Sequence, residues 1–168
     1  MHREISVSEL QFNPMTLIAK EWMLVTAGDG KTGYNTMTAS WGGLGVLWGS
    51  PTATIYVRPQ RYTKEFIDRE EYFTLSFFGS DFRKELALCG AKSGRELDKI
   101  KECGFTVACS AGGAPYVEQA RLVLVCRKRY AQDMDPNAMP ADVKETWYPN
   151  KDYHTMYVGQ IVEVYTKD

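Results

Sequence analysis

Asn35-Thr-Met-Thr-Ala-Ser-Trp-Gly-Gly43, followed by Ser50-Pro-Thr-Ala-Thr-Ile-Tyr-Val-Arg-Pro-Gln-Arg-Tyr-Thr63, is the stretch on which the reading of this chain turns. From Thr52 to Arg58 the residues alternate, with Ala53, Ile55 and Val57 on one face and Thr54, Tyr56 and Arg58 on the other. That pattern predicts a strand with one side packed inward and Arg58 emerging on the polar side. Tyr34 to Ser40 reads as a second strand, ending in hydroxyls and small side chains. The glycines after Trp41 leave backbone that other groups approach closely. Arg61-Tyr62-Thr63 then puts a second arginine and a capping hydroxyl at the start of a helix from Lys64 to about Glu70. Together these pieces make a socket for a flat aromatic ring carrying a phosphate.

The flanking elements are short and sharply punctuated. Asn13-Pro14 predicts an N-cap and first turn for a helix over Met15 to Lys20, and Met23 to Ala27 a strand closed by the Gly28-Asp29-Gly30 turn. Beyond the central stretch, Tyr72 to Phe78 reads as a strand. Ser80 or Asp81 to Gly90 reads as a helix with Phe82, Leu86 and Cys89 on one face. Ser93-Gly-Arg-Glu96 has the form of a capping box opening another helix that stops at Gly104. Phe105 to Cys109, Ala120 to Tyr130 and Tyr153 to Tyr165 complete the strands, long ones of the kind found in antiparallel meanders and barrels. The expectation is a single domain over residues 1–168, mainly β, with six to seven strands in one antiparallel barrel and short peripheral helices at its rim.

Composition narrows the function. With 44% hydrophobic residues, ten Tyr, seven Phe and four Trp in 168 residues, the chain has the apolar side chains a folded core needs. A formal net charge of −1 gives no field for phosphate polymers, so no nucleic acid is expected as a partner. No run reaches the length of a membrane span and the first ten residues lack a signal-peptide core, so a cytoplasmic protein is expected. Cys89, Cys103, Cys109 and Cys126 have neither CxxC spacing nor a neighbouring His cluster, so they read as reduced core thiols with no metal site. A GxGxxG fingerprint, a P-loop ending and a GxSxG elbow are all missing, which disfavours Rossmann, P-loop and hydrolase chemistry.

Two helix starts suit a phosphate, Arg61-Tyr62-Thr63 and Lys92-Ser93-Gly94-Arg95, although each also reads as an ordinary cap. Thr38 to Gly43 suits the polar edge of a flat heteroaromatic ring through backbone N–H groups. Trp41 or Trp48 suits a ring face, or equally a plug in the barrel mouth. His154 is the one internal histidine. By parity it shares a face with Met156, Val158, Val162 and Val164, a pattern a buried core histidine would share.

The order of these blocks supplies a resemblance. Asn35-x-Met-Thr-Ala-Ser-Trp-Gly, Pro51, Tyr56-Val-Arg58-Pro-x-Arg-Tyr-Thr63, Phe73-Thr-Leu-Ser, Cys89-Gly-x-Lys-Ser-Gly-Arg95, Asp98-Lys99 and His154-x4-Gly159-x-Ile161 resemble successive blocks of the flavin reductase-like family, nearest its flavoredoxin-like branch. The resemblance implies an antiparallel Greek-key split β-barrel and FMN as cofactor. It implies an NAD(P)H-dependent flavin reductase with NADH or NADPH as transient donor, with a flavoredoxin-like electron carrier as the alternative. From the residues alone a non-flavin ligand-binding barrel stays open. The implied cofactor-binding set is Asn35, Met37, Thr38, Ala39, Ser40, Trp41, Arg58, Arg61, Tyr62, Thr63, Ser93, Arg95 and Lys99, with His154 as the catalytic candidate. His154 follows Asp152-Tyr153 in place of the Gly-Asp common among two-component reductases. A homodimer is expected, with outward aromatics such as Tyr72, Phe78, Tyr148 and Tyr157 covered by the partner, and a protein electron acceptor is a further expected partner.

Overall fold

In the computed structural model, which describes residues 1–167, the alternating segment lies near one end of a large antiparallel sheet. The strands are β1 (Arg3–Glu4), β2 (Met23–Asp29), β3 (Gly33–Ala39), β4 (Gly42–Leu47), β5 (Ser50–Val57), β6 (Tyr72–Phe77), β7 (Val107–Cys109), β8 (Pro115–Val117), β9 (Leu122–Asp133) and β10 (Thr155–Thr166). Eight form one sheet in the order β3-β2-β6-β9-β10-β5-β4 with β1 on β10, while β7 and β8 pair separately. Five short helices accompany them: α1 (Pro14–Thr16, continuing as a π turn over Leu17–Glu21), α2 (Thr63–Arg69), α3 (Arg83–Ala91), α4 (Lys99–Glu102) and α5 (Ala141–Trp147).

Burial follows the alternation in β5, where Ala53, Ile55 and Val57 are fully buried and Thr54, Tyr56 and Arg58 are not. They join Met23, Val25 and Ala27 of β2, Met37 of β3, Phe73 and Leu75 of β6 and Tyr157 of β10 in one core. Residues from both ends of the strand order thus meet in the same interior, so the sheet is rolled. It stays open between β3 and β4, which are joined only by the Ser40–Trp41 corner, and that opening makes the barrel a split one. A second core forms outside the roll, where Leu24, Val123 and Val125 meet Leu86, Phe105 and Val117. Most of β2 and the first part of β9, residues 122–126, are therefore buried on both faces.

Several expected elements differ. Strand β4 was not anticipated, because glycines at 42, 43 and 45 hide its alternation. It turns into β5 through Trp48 and Gly49, both at positive φ, a hairpin geometry that carries Trp48 to the surface against Tyr130, away from Trp41. The Ser93 capping box does not form. Ser93 instead closes a loop turn, with its hydroxyl accepting from the Arg95 N–H, and the helix shrinks to α4 capped by Asp98. Thr63 is no cap either: it is the buried first residue of α2. Register shifts at Val158/Gly159 and Ile161/Glu163 break the parity of β10, leaving Val162 exposed while Val164 is buried. Phe78, Tyr148 and Tyr157 are buried within the chain, so they leave nothing for a partner to cover.

Candidate functional site

Strand β3 and the Ser40–Trp41 corner form one wall of a groove at the opening. The end of β5 and the turn into α2 form its floor, and the loop from α3 to α4 closes one end. That end is a cavity of about 330 Å³ bordered by Asn35, Arg61, Thr63, Ser93, Gly94 and Lys99, among others. It runs through Met37, Arg58 and Arg61 into a narrower slot of about 260 Å³ between Thr38–Trp41 on one side and Tyr56 and His154 on the other. The loop can sit so close only because residue 94 is glycine, since a Cβ there would lie 1.9 Å from the Asn35 Oδ1. Asn35 in turn donates from Nδ2 to the Thr63 hydroxyl at 2.8 Å. Thr38 turns its hydroxyl away from the slot, donating to the Leu86 carbonyl at 2.5 Å.

The closed end concentrates positive charge, of which Lys99 is buried and Arg61 half-buried. Lys99 is only 4% exposed, and its Nζ donates to the Cys89 and Lys92 carbonyls at 3.2 and 3.3 Å. Arg61 donates from Nη1 to the Gly90 carbonyl at 2.6 Å. Among the described residues neither has a carboxylate within 4.0 Å. Burial, with the Arg58 charge adding to it at Arg61 and the Arg61 charge adding to it at Lys99, holds the Arg61 guanidinium and the Lys99 ammonium below their ordinary pKa values. Arg58 is different. It pairs with Asp152 at 2.8 Å, donates to the Trp147 carbonyl at 2.9 Å and lies 5.1 Å from the Tyr148 ring centre. Arg95 stands outside this cavity, paired with Glu65 and lying over the Tyr62 ring at 4.5 Å.

At the other end of the slot the His154 ring is buried 5.2 Å from Trp41, and Trp41 meets Trp147 edge to face at 5.0 Å. The Tyr148 hydroxyl lies 2.8 Å from His154 Nδ1. Burial, with the Arg58 charge adding to it, pushes the imidazole down to about 4. His154 is therefore neutral at physiological pH and acts through hydrogen bonding and shape. Because its folded value lies below its unfolded one, stability is lost as pH falls from about 6.5 toward 4.

All the expected site residues except Arg95 border the cavity, the slot or both. The sequence reading missed Trp147, Tyr148 and Asp152. They sit in the segment between β9 and β10, and no local pattern ties them to Arg58, some 90 residues away in the chain. Tyr56 was legible, since it shares the polar face of β5 with Arg58. Among the described residues no cluster of His, Cys, Asp or Glu could hold a metal ion, and no helix is long and apolar enough to cross a membrane.

Comparison with known proteins places this geometry. Curated protein sequences gave no match. Among solved structures the chain is similar to the flavoredoxin of Methanosarcina acetivorans, at TM-score 0.71 and 23% identity over 99% of this chain and 76% of that one. The flavoredoxin of Desulfovibrio vulgaris (Miyazaki F) gives 0.70 and 20% over 99% and 78%. A Shewanella frigidimarina structure described as having a split barrel domain gives 0.70 and 17% over 96% and 77%. The sequence profile described as "Flavin reductase like domain" matches residues 15–168. On that match, which spans nearly all of the sequence, the chain belongs to the flavin reductase-like family.

Proposed function

We propose that this chain binds FMN along the groove and works as an NAD(P)H-dependent flavin reductase. The observation that carries the reading is the pair Arg61 and Lys99, one half-buried and one buried cation without a carboxylate, at one end of the slot. A buried unpaired charge is costly, and a phosphate would supply the missing counter-charge with charge-assisted hydrogen bonds. Bound FMN would supply the hydride-accepting chemistry. The protein's part is binding, orientation and exclusion of water. Arg61, Lys99 and the Ser93 hydroxyl would hold the phosphate, with Thr63 held in place by Asn35. The Thr38–Trp41 backbone would meet the ring edge, and Trp41 would cover a face beside the neutral His154.

A specific observation favours the carrier alternative. Trp41 packs beside His154 and Trp147 packs edge to face on Trp41, so the two indoles narrow the space an incoming nicotinamide would need in the slot. Absorbance near the flavin band separates the two readings. Bleaching within seconds of adding NADH or NADPH to the FMN-loaded protein is expected of a reductase, and a spectrum unchanged over minutes would leave the carrier reading in its place. In the same assay His154→Ala is expected to slow bleaching at least about tenfold while FMN affinity changes only a few fold. Loss of FMN with an unchanged rate in the remaining loaded protein would make His154 structural.

A homodimer is part of this proposal, and light scattering should give twice the 19.1 kDa chain mass. The exposed apolar residues that a partner would cover are Val46, Leu47 and Trp48 on the β4–β5 hairpin. The four free thiols suit a reducing, cytoplasmic setting.

A further inference from the structure

Beyond the slot the groove opens into a third chamber, of about 510 Å³, that shares Ser40, Trp41 and Tyr56 with it. Its remaining wall is Pro14, Met15, Ile18 and Ala19 from the N-terminal helical segment, Gly42 to Leu44 of β4, and Met134 and Tyr148. Among the described residues no Lys, Arg, Asp, Glu or His borders it. The volume is that of a small-molecule site. Part of the wall is the π turn at Leu17–Glu21, a rare geometry that recurs at functional sites.

The polar groups in this wall are few. Tyr148 spends its hydroxyl on His154, whereas the Ser40 and Tyr56 hydroxyls take part in no side-chain hydrogen bond among the described residues. A charged molecule entering here would lose hydration with no counter-charge, while an apolar ring would lose nothing and a single carbonyl could accept from either hydroxyl. The cations without a carboxylate, Arg61 and Lys99, border the cavity where the FMN phosphate is assigned, and Arg58, which borders the slot, is neutralised by Asp152.

We propose that this chamber binds the second substrate, and that this substrate is an uncharged ring bearing a conjugated carbonyl, the quinone class. The proposal rests on the flavin reductase reading for the source of electrons. The overall reaction balances as quinone plus NAD(P)H plus one proton giving hydroquinone plus NAD(P)+. Two electrons and one proton leave the nicotinamide as hydride, and the second proton comes from solvent.

The test is calorimetric titration of the FMN-loaded protein with 1-tetralone, an unreactive ring ketone, against tetralin, which lacks the carbonyl, and tetralin-2-carboxylate, which adds a charge. Tetralone is expected to bind about 2- to 12-fold more tightly than tetralin, the worth of one neutral hydrogen bond, and more tightly than tetralin-2-carboxylate. Tyr56→Phe should narrow its advantage over tetralin. Ala19→Trp, at an exposed position in the wall, should abolish tetralone binding while FMN affinity stays within about twofold. Gly43→Leu is a second obstruction, since a Cβ at residue 43 meets nothing within 4 Å. FMN binding without tetralone binding, or tetralone binding unaffected by both obstructions, would overturn the proposal and leave the function intact. If both obstructions halve the particle mass and tetralone does not bind, the chamber is an interface between copies and the proposal fails. Failure of FMN itself to bind would instead strike the functional reading, with tetralone binding to the FMN-free protein then deciding the chamber by itself.

Discussion

Arg61→Ala and Lys99→Met should each weaken FMN binding by roughly 10- to 150-fold in a fluorescence titration, the equivalent of one charge-assisted hydrogen bond of about 1.5–3 kcal/mol. The FMN-free protein should respond differently. Lys99 is buried with only carbonyl partners, so its removal relieves an uncompensated charge while leaving two carbonyls less well satisfied, and the melting temperature should change little. Loss of affinity with stability retained distinguishes a ligand-binding cation from a structural one. The pH dependence has a definite sign. Lys99 is held below its ordinary pKa in the free protein and a bound phosphate would raise it again. FMN binding should therefore take up a proton between those two values, and affinity should fall as pH rises through the upper one. If Lys99→Met unfolds the protein, or leaves FMN affinity unchanged, the phosphate has been assigned to the wrong end of the groove.

Gly159→Ala should produce a large loss of stability. Its Cβ would lie 2.6 Å from the Phe73 Cζ and 2.7 Å from the Cys126 Cβ, and both neighbours are fully buried, so neither can give way into solvent. Overpacking of this kind costs about 1–3 kcal/mol, and contacts this short put it near the upper end. For a chain of this size the melting temperature should drop by roughly 6–12 °C. Gly43→Ala is the control, because its added methyl meets nothing within 4 Å and should shift the melting temperature by no more than a few degrees. Equal melting temperatures for the two variants, followed by circular dichroism, would contradict the packing of β10 against β6 and β9.

The rolled sheet was legible where alternation was clean. Thr52 to Arg58 showed its two faces directly, and the structure buries the one expected. The reading failed where glycine or tertiary contact decided the outcome. Strand β4 exists because its backbone pairs with β5, which three glycines cannot announce. Ser93 carries a capping-box pattern, but Gly94 must sit against Asn35, and that contact holds the segment as a loop. The parity of His154 along β10 fails at two register shifts, of which only the first carries a local sign, the glycine at 159. In the site, Arg58 and Arg61 stood out as arginines after a polar strand face, but their different roles did not. Arg58 is matched by Asp152 far along the chain while Arg61 has no carboxylate, and only the folded arrangement separates them. Lys99 entered the expected site through the resemblance alone, and only the fold shows it almost fully buried with two carbonyls as partners.

The central claim is that the groove holds a flavin by its phosphate. Parallel fluorescence titrations of the protein with FMN and with riboflavin test it most directly, since the two ligands share the ring and differ in that one group. FMN should bind at least about tenfold more tightly, the least expected from even one charge-assisted hydrogen bond to Arg61 or Lys99. Equal dissociation constants, or no binding of either ligand, would contradict it.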